Sequence, residues 1–281
     1  MAQAKQSPPS QSRAPFDLLC ACYYISRFRA IQGMAATATT PLTSESGELV
    51  GLSSVSVRHG FIQKVYGILG VQLVATTIIG GATMKLGEDL VRTNPALMMT
   101  LLFGSLAVSV AMMCVFMCCP DTMRRSPLNY VLLSAFTVAE SIMVGFICIQ
   151  YTQASVVVAL GVTAFIVVSL SIFACQTSID FTGMGPYLFC ACLALMGFGF
   201  MLSIASMCGL SGPAFSTLRL FYAAGGAMLF SMYLVFDTQL IIGGKHKHSF
   251  SIDDYCMAAI SLYIDIIQLF LYLLELFGDR R

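Results

Sequence analysis

The chain has 281 residues, 57% of them hydrophobic and only 10% charged, with a net charge of +1. A water-facing globular surface needs about 25% charged residues, so a soluble protein is excluded and a polytopic membrane protein is indicated, as the mean hydropathy of +0.82 also says. The near-neutral charge and the lack of a basic stripe exclude nucleic acid as a partner and leave the lipid bilayer.

Residues 1–56 are rich in Ser, Thr, Ala, Pro and Gln without a sustained period. They are predicted to form a disordered cytosolic tail ahead of a membrane domain at 57–281. The apolar stretch 16–25 is short, carries Asp17 and lacks a signal-peptide layout, so neither a signal nor a span is expected there. A second candidate start lies at Met34.

Seven apolar stretches follow, at about 64–84, 95–119, 128–150, 154–176, 187–208, 215–242 and 255–277. Each is near the ~20 residues a bilayer core requires. Lipid satisfies no backbone hydrogen bond, so each must be helical. The expected fold is an all-α membrane protein, either a seven-helix transmembrane bundle or six spans plus a re-entrant C-terminal helix. Ala223, Ala224, Gly225, Gly226 and Ala227 are small enough to let the sixth helix approach its neighbours closely. With the N-terminus in the cytosol, that side carries ten Lys and Arg, including Arg124, Arg125, Lys245 and Lys247, against five opposite: Lys85, Arg92, Arg219, Arg280 and Arg281. The bias supports that orientation.

Eight of the eleven cysteines lie in or at the edge of these stretches and are expected to be small buried hydrophobes rather than a disulfide framework. Cys118 and Cys119, at a span end, admit palmitoylation, with plain packing favoured. Arg219 opens the sixth helix and is expected to snorkel to the interface. Lys245-His246-Lys247-His248 can sense pH or bind acidic lipid, but a solvated positive loop is favoured. Asp180 is expected to cap or turn the loop between spans four and five.

Two acids stand inside the last two stretches: Asp237 in SMYLVFDTQLII and Asp265 in ISLYIDIIQLFLYLL. A carboxylate in hydrocarbon costs roughly 3 kcal/mol on insertion scales, which makes such a residue a functional-site candidate in need of a partner. Counting back from Gly243 puts Asp237 about 9 Å below the membrane edge, and counting on from Tyr255 puts Asp265 about 15 Å below the same edge. The two are thus within roughly one helical turn in depth. Ser261, Asp265, Gln268, Tyr272 and Glu275 form one polar stripe on the last helix, with Ile264, Ile266, Leu269, Phe270 and Leu271 as lipid or packing contacts. Two close carboxylates cannot both ionise cheaply in a low dielectric, so they are expected to share a proton over some range near neutrality. Protonation then replaces repulsion with a hydrogen bond. Deprotonation drives the helices apart or admits a cation, and calcium, an oxygen-seeking ion, suits the doubly charged state as a transient ligand of Asp237 and Asp265. Ser261, Gln268 and Glu140 are candidates for the ion path. For Glu140 a buried acid hydrogen-bonded to Ser141 or Thr137 is an equal reading.

The segments VRHGFIQKVYGILGVQLVAT (57–76), RRSPLNYVLLSAFT (124–137), QTSIDFTGMG (176–185), VFDTQLIIGGKHKHSFSIDDY (235–255) and SLYIDIIQLFLYLLELFGDRR (261–281) resemble the transmembrane Bax-inhibitor-motif family, in its Lifeguard branch. The resemblance covers about 57–281. It implies a seven-helix bundle in endomembranes, in the endoplasmic reticulum or Golgi and also compatible with the plasma membrane, a pH-sensitive calcium leak, and suppression of cell death. It implies that Asp237 and Asp265 are the pH-sensing pair, and that an arginine near the end of the second helix, here Arg124 or Arg125, bridges to the first of them as a latch. Calcium enters as the transported ion, and no cofactor is expected. The alternative is a non-conducting scaffold regulating death-signalling or receptor proteins in the membrane. An enzyme is not expected: the chain has no His-Glu-x-x-His, no Gly-x-Ser-x-Gly and no Gly-x-Gly-Asp around either aspartate.

Overall fold

The computed structural model describes residues 47–243 and 250–280. Seven long helices account for most of them: α1 (Gly47–Thr93), α2 (Pro95–Cys118), α3 (Leu128–Cys148), α4 (Gln153–Gln176), α5 (Gly185–Met207), α6 (Pro213–Ile242) and α7 (Tyr255–Phe277). All seven contain a stretch long and apolar enough to cross a membrane. The first 46 residues, the Lys245–His248 loop and Arg281 lie outside the described residues.

Helices α2 to α7 match the apolar stretches within a few residues, and α1 does not. It begins at Gly47, inside the segment assigned to the tail, and runs to Thr93 through the polar stretch taken as a loop. Lys85 to Arg92 contains charged residues but also good helix formers, so polarity alone does not end the helix. The break comes at Pro95, which cannot continue a helix from the preceding turn. Asn94 serves as a one-residue connection, its Oδ1 accepting from Leu97 N at 3.1 Å to cap α2.

α7 is the axis of the bundle. It packs against α6, α1, α4 and α3, and 94% of its membrane-length stretch is buried, against 17% for α4 and 22% for α2. Ile264, Ile266, Leu269, Phe270 and Leu271 are all buried, so they are packing and not lipid contacts. The helix is unbroken over 23 residues, about 35 Å at 1.5 Å per residue. That exceeds a hydrocarbon core of ~30 Å. A full seventh span fits this length, where a re-entrant hairpin would need a break.

The outer helices show apolar side chains to their surroundings, among them Phe103, Val157, Phe165, Met201 and Met207. Lipid accepts these at no cost, whereas water would not. Six of the eight span cysteines belong to this outer surface: Cys114, Cys118, Cys119, Cys175, Cys190 and Cys208 are exposed, and only Cys148 and Cys192 are buried. The expectation of burial fails for those six because a thiol is apolar enough to face lipid. All the described cysteines are free, as expected.

α6 meets α7 through the small-residue run. A Cβ on Gly226 would clash with Cδ1, Cε1 and Cζ of the Tyr272 ring, and that ring stacks on Phe230 at 5.6 Å and meets Tyr222 edge-on at 5.4 Å. One end of the bundle, here the proximal end, carries Arg58, the turns 119–127 and 177–184, and Phe250–Asp254. The distal end carries Asn94, the turn 149–152, residues 208–212 and Gly278–Arg280.

Candidate functional site

Asp237 on α6 and Asp265 on α7 are both 0% exposed, on two helices that pack against each other along the bundle. Phe236, Leu240, Ile264 and Ile266 beside them are buried as well. Both acids are therefore in an interior of low dielectric, where an isolated ionised carboxylate costs several kcal/mol. Counting from the helix ends, Ile242 and Tyr255, places them at depths differing by about 7–8 Å, a little more than one turn. The rest of the α7 stripe shares the burial: Ser261, Gln268 and Tyr272 are all interior, and Ser261 Oγ donates to Met257 O at 3.0 Å. Among the described residues no group of three or more His, Cys, Asp or Glu gathers as a metal site. Two carboxylates supply at most four of the six to eight oxygens calcium takes, which suits passage better than storage.

The helices carrying the two acids are fastened at the proximal end by side chains from α1. Arg58 donates to Leu240 O at 2.8 Å, Ile242 O at 3.1 Å and Phe250 O at 2.8 Å. It thereby satisfies carbonyls that the end of α6 leaves without helical partners, with a positive charge at the negative end of the helix dipole. The chain leaves α6 through Gly243 at φ +63°, where a Cβ would run into the Arg58 guanidinium. Lys64 Nζ lies 3.3 Å from the Tyr255 ring centroid, and Asn129 Nδ2 on α3 donates to Tyr255 OH at 2.8 Å.

Arg124 makes a two-pronged pair with Asp254, Nε to Oδ1 at 2.7 Å and Nη2 to Oδ2 at 3.2 Å, at the residue before α7 begins. Arg125 is exposed. The arginine expected to latch Asp237 is thus set on the entrance of α7, and α1 supplies the cation that grips the end of α6. Nothing in the sequence marks Arg58 for this task, because the orphan carbonyls it serves lie more than 180 residues away. Its position just ahead of the first apolar run is the one available hint.

Gln239, two residues after Asp237, ties down the neighbouring loop. Its Oε1 accepts from Phe181 N at 2.7 Å and its Nε2 donates to Ile179 O at 2.9 Å. Within that loop Asp180 Oδ1 accepts from Thr182 N at 3.0 Å, the turn role expected for it.

Glu140 on α3 is buried at 5% exposure, with Ser109 of α2 next to it. The hydroxyls expected to serve it hydrogen-bond to other partners. Thr137 Oγ1 donates to Leu133 O at 2.8 Å and receives Gln72 Nε2 at 2.9 Å. Ser141 Oγ lies 2.5 Å from Thr137 O and 3.1 Å from Thr76 Oγ1, which is 2.8 Å from Tyr263 OH. Gln72 and Thr76 of α1 and Tyr263 of α7 join α3 in a buried polar layer that the sequence did not point to. At the distal end Arg219 does not simply snorkel: its Nη2 is 2.9 Å from Glu275 Oε1, the last member of the α7 stripe.

The family model described as Inhibitor of apoptosis-promoting Bax1 matches residues 58–281. Human Protein lifeguard 3 is 38% identical over 228 residues, 80% of this chain and 70% of its own length. Mouse Protein lifeguard 4 is 33% identical over 233 residues, 82% of this chain and 89% of its own. The match starts at Arg58 and takes in all seven spans, both buried aspartates and the Arg58 clamp. The chain therefore belongs to the Bax-inhibitor-motif family of membrane proteins.

Proposed function

We propose that the protein is a passive, pH-gated calcium leak channel of endomembranes, in the endoplasmic reticulum or Golgi with its N-terminus in the cytosol. By lowering stored calcium it suppresses cell death. The observation that carries this reading is the burial of two carboxylic acids, Asp237 and Asp265, on the packed pair α6 and α7.

With one proton shared between them, the acids hold α6 to α7 by a hydrogen bond, and the seam is closed. As pH rises the proton leaves, and two negative charges in a low-dielectric seam repel each other and attract a divalent cation. Opening therefore follows deprotonation, and calcium crosses along the α7 stripe through Ser261 and Gln268. Glu140, buried on α3, is a secondary ion-path candidate. Arg124, fixed to Asp254, and Arg58, fixed to the end of α6, hold the connector that a separation of α6 from α7 must move. Arg125 is the reserve for the latch.

The test is the purified protein in liposomes holding a calcium dye, titrated from pH 6 to pH 8. Flux that rises with pH and loses that response in Asp265→Asn supports the channel. Absence of flux above protein-free liposomes supports instead a scaffold acting on death-signalling or receptor proteins.

A further inference from the structure

The distal end of the α7 stripe is built differently from the proximal end. Asp265, Gln268, Tyr272 and Glu275 follow at intervals of three and four residues, so all four line the same face. Glu275 lies ten residues beyond Asp265, about 15 Å further along the axis. Its side chain is 7% exposed, and two guanidinium groups stand over it: Arg219 at 2.9 Å and Arg280 at 3.5 Å, with side chains 30% and 37% exposed. The carboxylate is buried, and the two more exposed arginines lie between it and the surroundings. One turn below, Tyr222 OH and Tyr272 OH are 3.0 Å apart and span the α6–α7 seam.

Arg280 is held in place by a short C-terminal strap. Tyr151 and Arg280 pair as an antiparallel bridge. Thr152 N donates to Asp279 O at 3.0 Å, and Asp279 N donates to Ser155 Oγ at 3.0 Å. The Arg280 guanidinium reaches Tyr151 OH at 3.2 Å and lies 5.4 Å from the centroid of that ring. The strap fastens the end of the chain to the α3–α4 turn and leaves the guanidinium directed at Glu275.

We infer that Arg219, Glu275 and Arg280 form a second gate, at the opposite end of the bundle from the aspartate pair. This inference rests on the leak reading above. A cation that has passed Asp265 along the stripe meets three charges summing to +1, and a divalent cation is repelled there. To leave or enter at this end it must displace a guanidinium from Glu275. Arg280 is the member to displace, because its contact with Glu275 is the longer and its side chain the more exposed of the two. The gate is set by charge, whereas the aspartate pair is set by protonation, so the two act independently on flux.

The experiment compares calcium flux in liposomes for the full chain and for Arg280→Gln, Arg280→Lys and Asp265→Asn between pH 6 and pH 8. Arg280→Gln is expected to raise flux about fivefold, the order of effect of a half-exposed ion pair, at every pH and without moving the midpoint of the pH response. Arg280→Lys keeps flux near wild type. A merely structural role would lower flux or shift the thermal transition and leave no uniform gain. In a second comparison Arg219→Glu alone raises flux, and Arg219→Glu combined with Glu275→Arg returns it toward wild type. Should Arg280→Gln fail to fold, this reversal decides the matter. Wild-type flux that responds to pH and to Asp265→Asn but is unchanged in Arg280→Gln, or a reversal that restores nothing, overturns the second gate and leaves the leak reading standing. Wild-type flux no greater than that of protein-free liposomes overturns both.

Discussion

Arg58 illustrates how far one side chain determines the proximal end. Its three donors satisfy three backbone carbonyls on α6 and on the segment leading to α7. Hydrogen bonds from a charged donor are worth about 1.5–3 kcal/mol each, although Leu240 O also accepts from Phe250 N and keeps that partner. Arg58→Ala is expected to destabilise the protein by about 3 kcal/mol or more, read as a lowered thermal transition in detergent. Arg58→Lys, with a point charge in place of a planar fork, is expected to recover less than half of that. An unchanged transition in Arg58→Ala would show that the clamp carries no stability. The aspartates were legible in the sequence and Arg58 was not, for one physical reason. A charge inside an apolar run is anomalous in one dimension, but a cation just ahead of an apolar run becomes meaningful only when the far end of α6 is brought to it.

At the scale of the element, the packing of α6 on α7 depends on which glycine faces the partner. The run of small residues at 223–227 signals close approach without saying where. Gly226 is the contact, since a Cβ there clashes with the edge of the Tyr272 ring, whereas a Cβ on Gly225 would meet nothing nearer than Leu195 Cδ1 at 3.8 Å. Gly226→Ala is expected to cost about 1–3 kcal/mol by overpacking. Gly225→Ala is expected to be neutral or to stabilise by up to ~1 kcal/mol through helix propensity. Equal thermal transitions for the two variants would contradict the assignment. Six of the seven helices were legible to within a few residues because length and apolarity are set by the bilayer. The ends of α1 were not, since a polar helix that leaves the membrane has the composition of a loop. The face of α7 was half legible: its polar stripe is a matter of spacing, but the burial of its apolar faces too is a consequence of central placement, which no spacing encodes.

Across the whole molecule, α7 separates two polar regions. On one side Asp265 lies two turns from Tyr272 along the face that meets Tyr222 and Phe230 of α6. On the other, Tyr263 joins Thr76, Ser141, Thr137 and Gln72 in a buried layer that links α1, α3 and α7. Tyr263→Phe removes one hydrogen bond from that layer and is expected to lower stability by about 1 kcal/mol. It should leave the pH response of calcium flux in place, because the layer does not include the aspartates. A Tyr263→Phe protein whose pH response is abolished would make the two regions one. Arg124, tied to Asp254, and Arg58, tied to the end of α6 and to Phe250, both hold the proximal ends of the two helices that carry the aspartates.

The measurement that bears most directly on the aspartate switch is calcium flux from liposomes between pH 6 and pH 8 for wild type, Asp237→Asn and Asp265→Asn. Under the proposed switch, sharing of one proton closes the seam and its loss opens it, so wild-type flux is expected to rise as pH rises. An asparagine keeps the hydrogen bond and cannot ionise, so each variant is expected to hold the low flux of the acid limit across the whole range. Variants that retain the wild-type pH profile would contradict the switch.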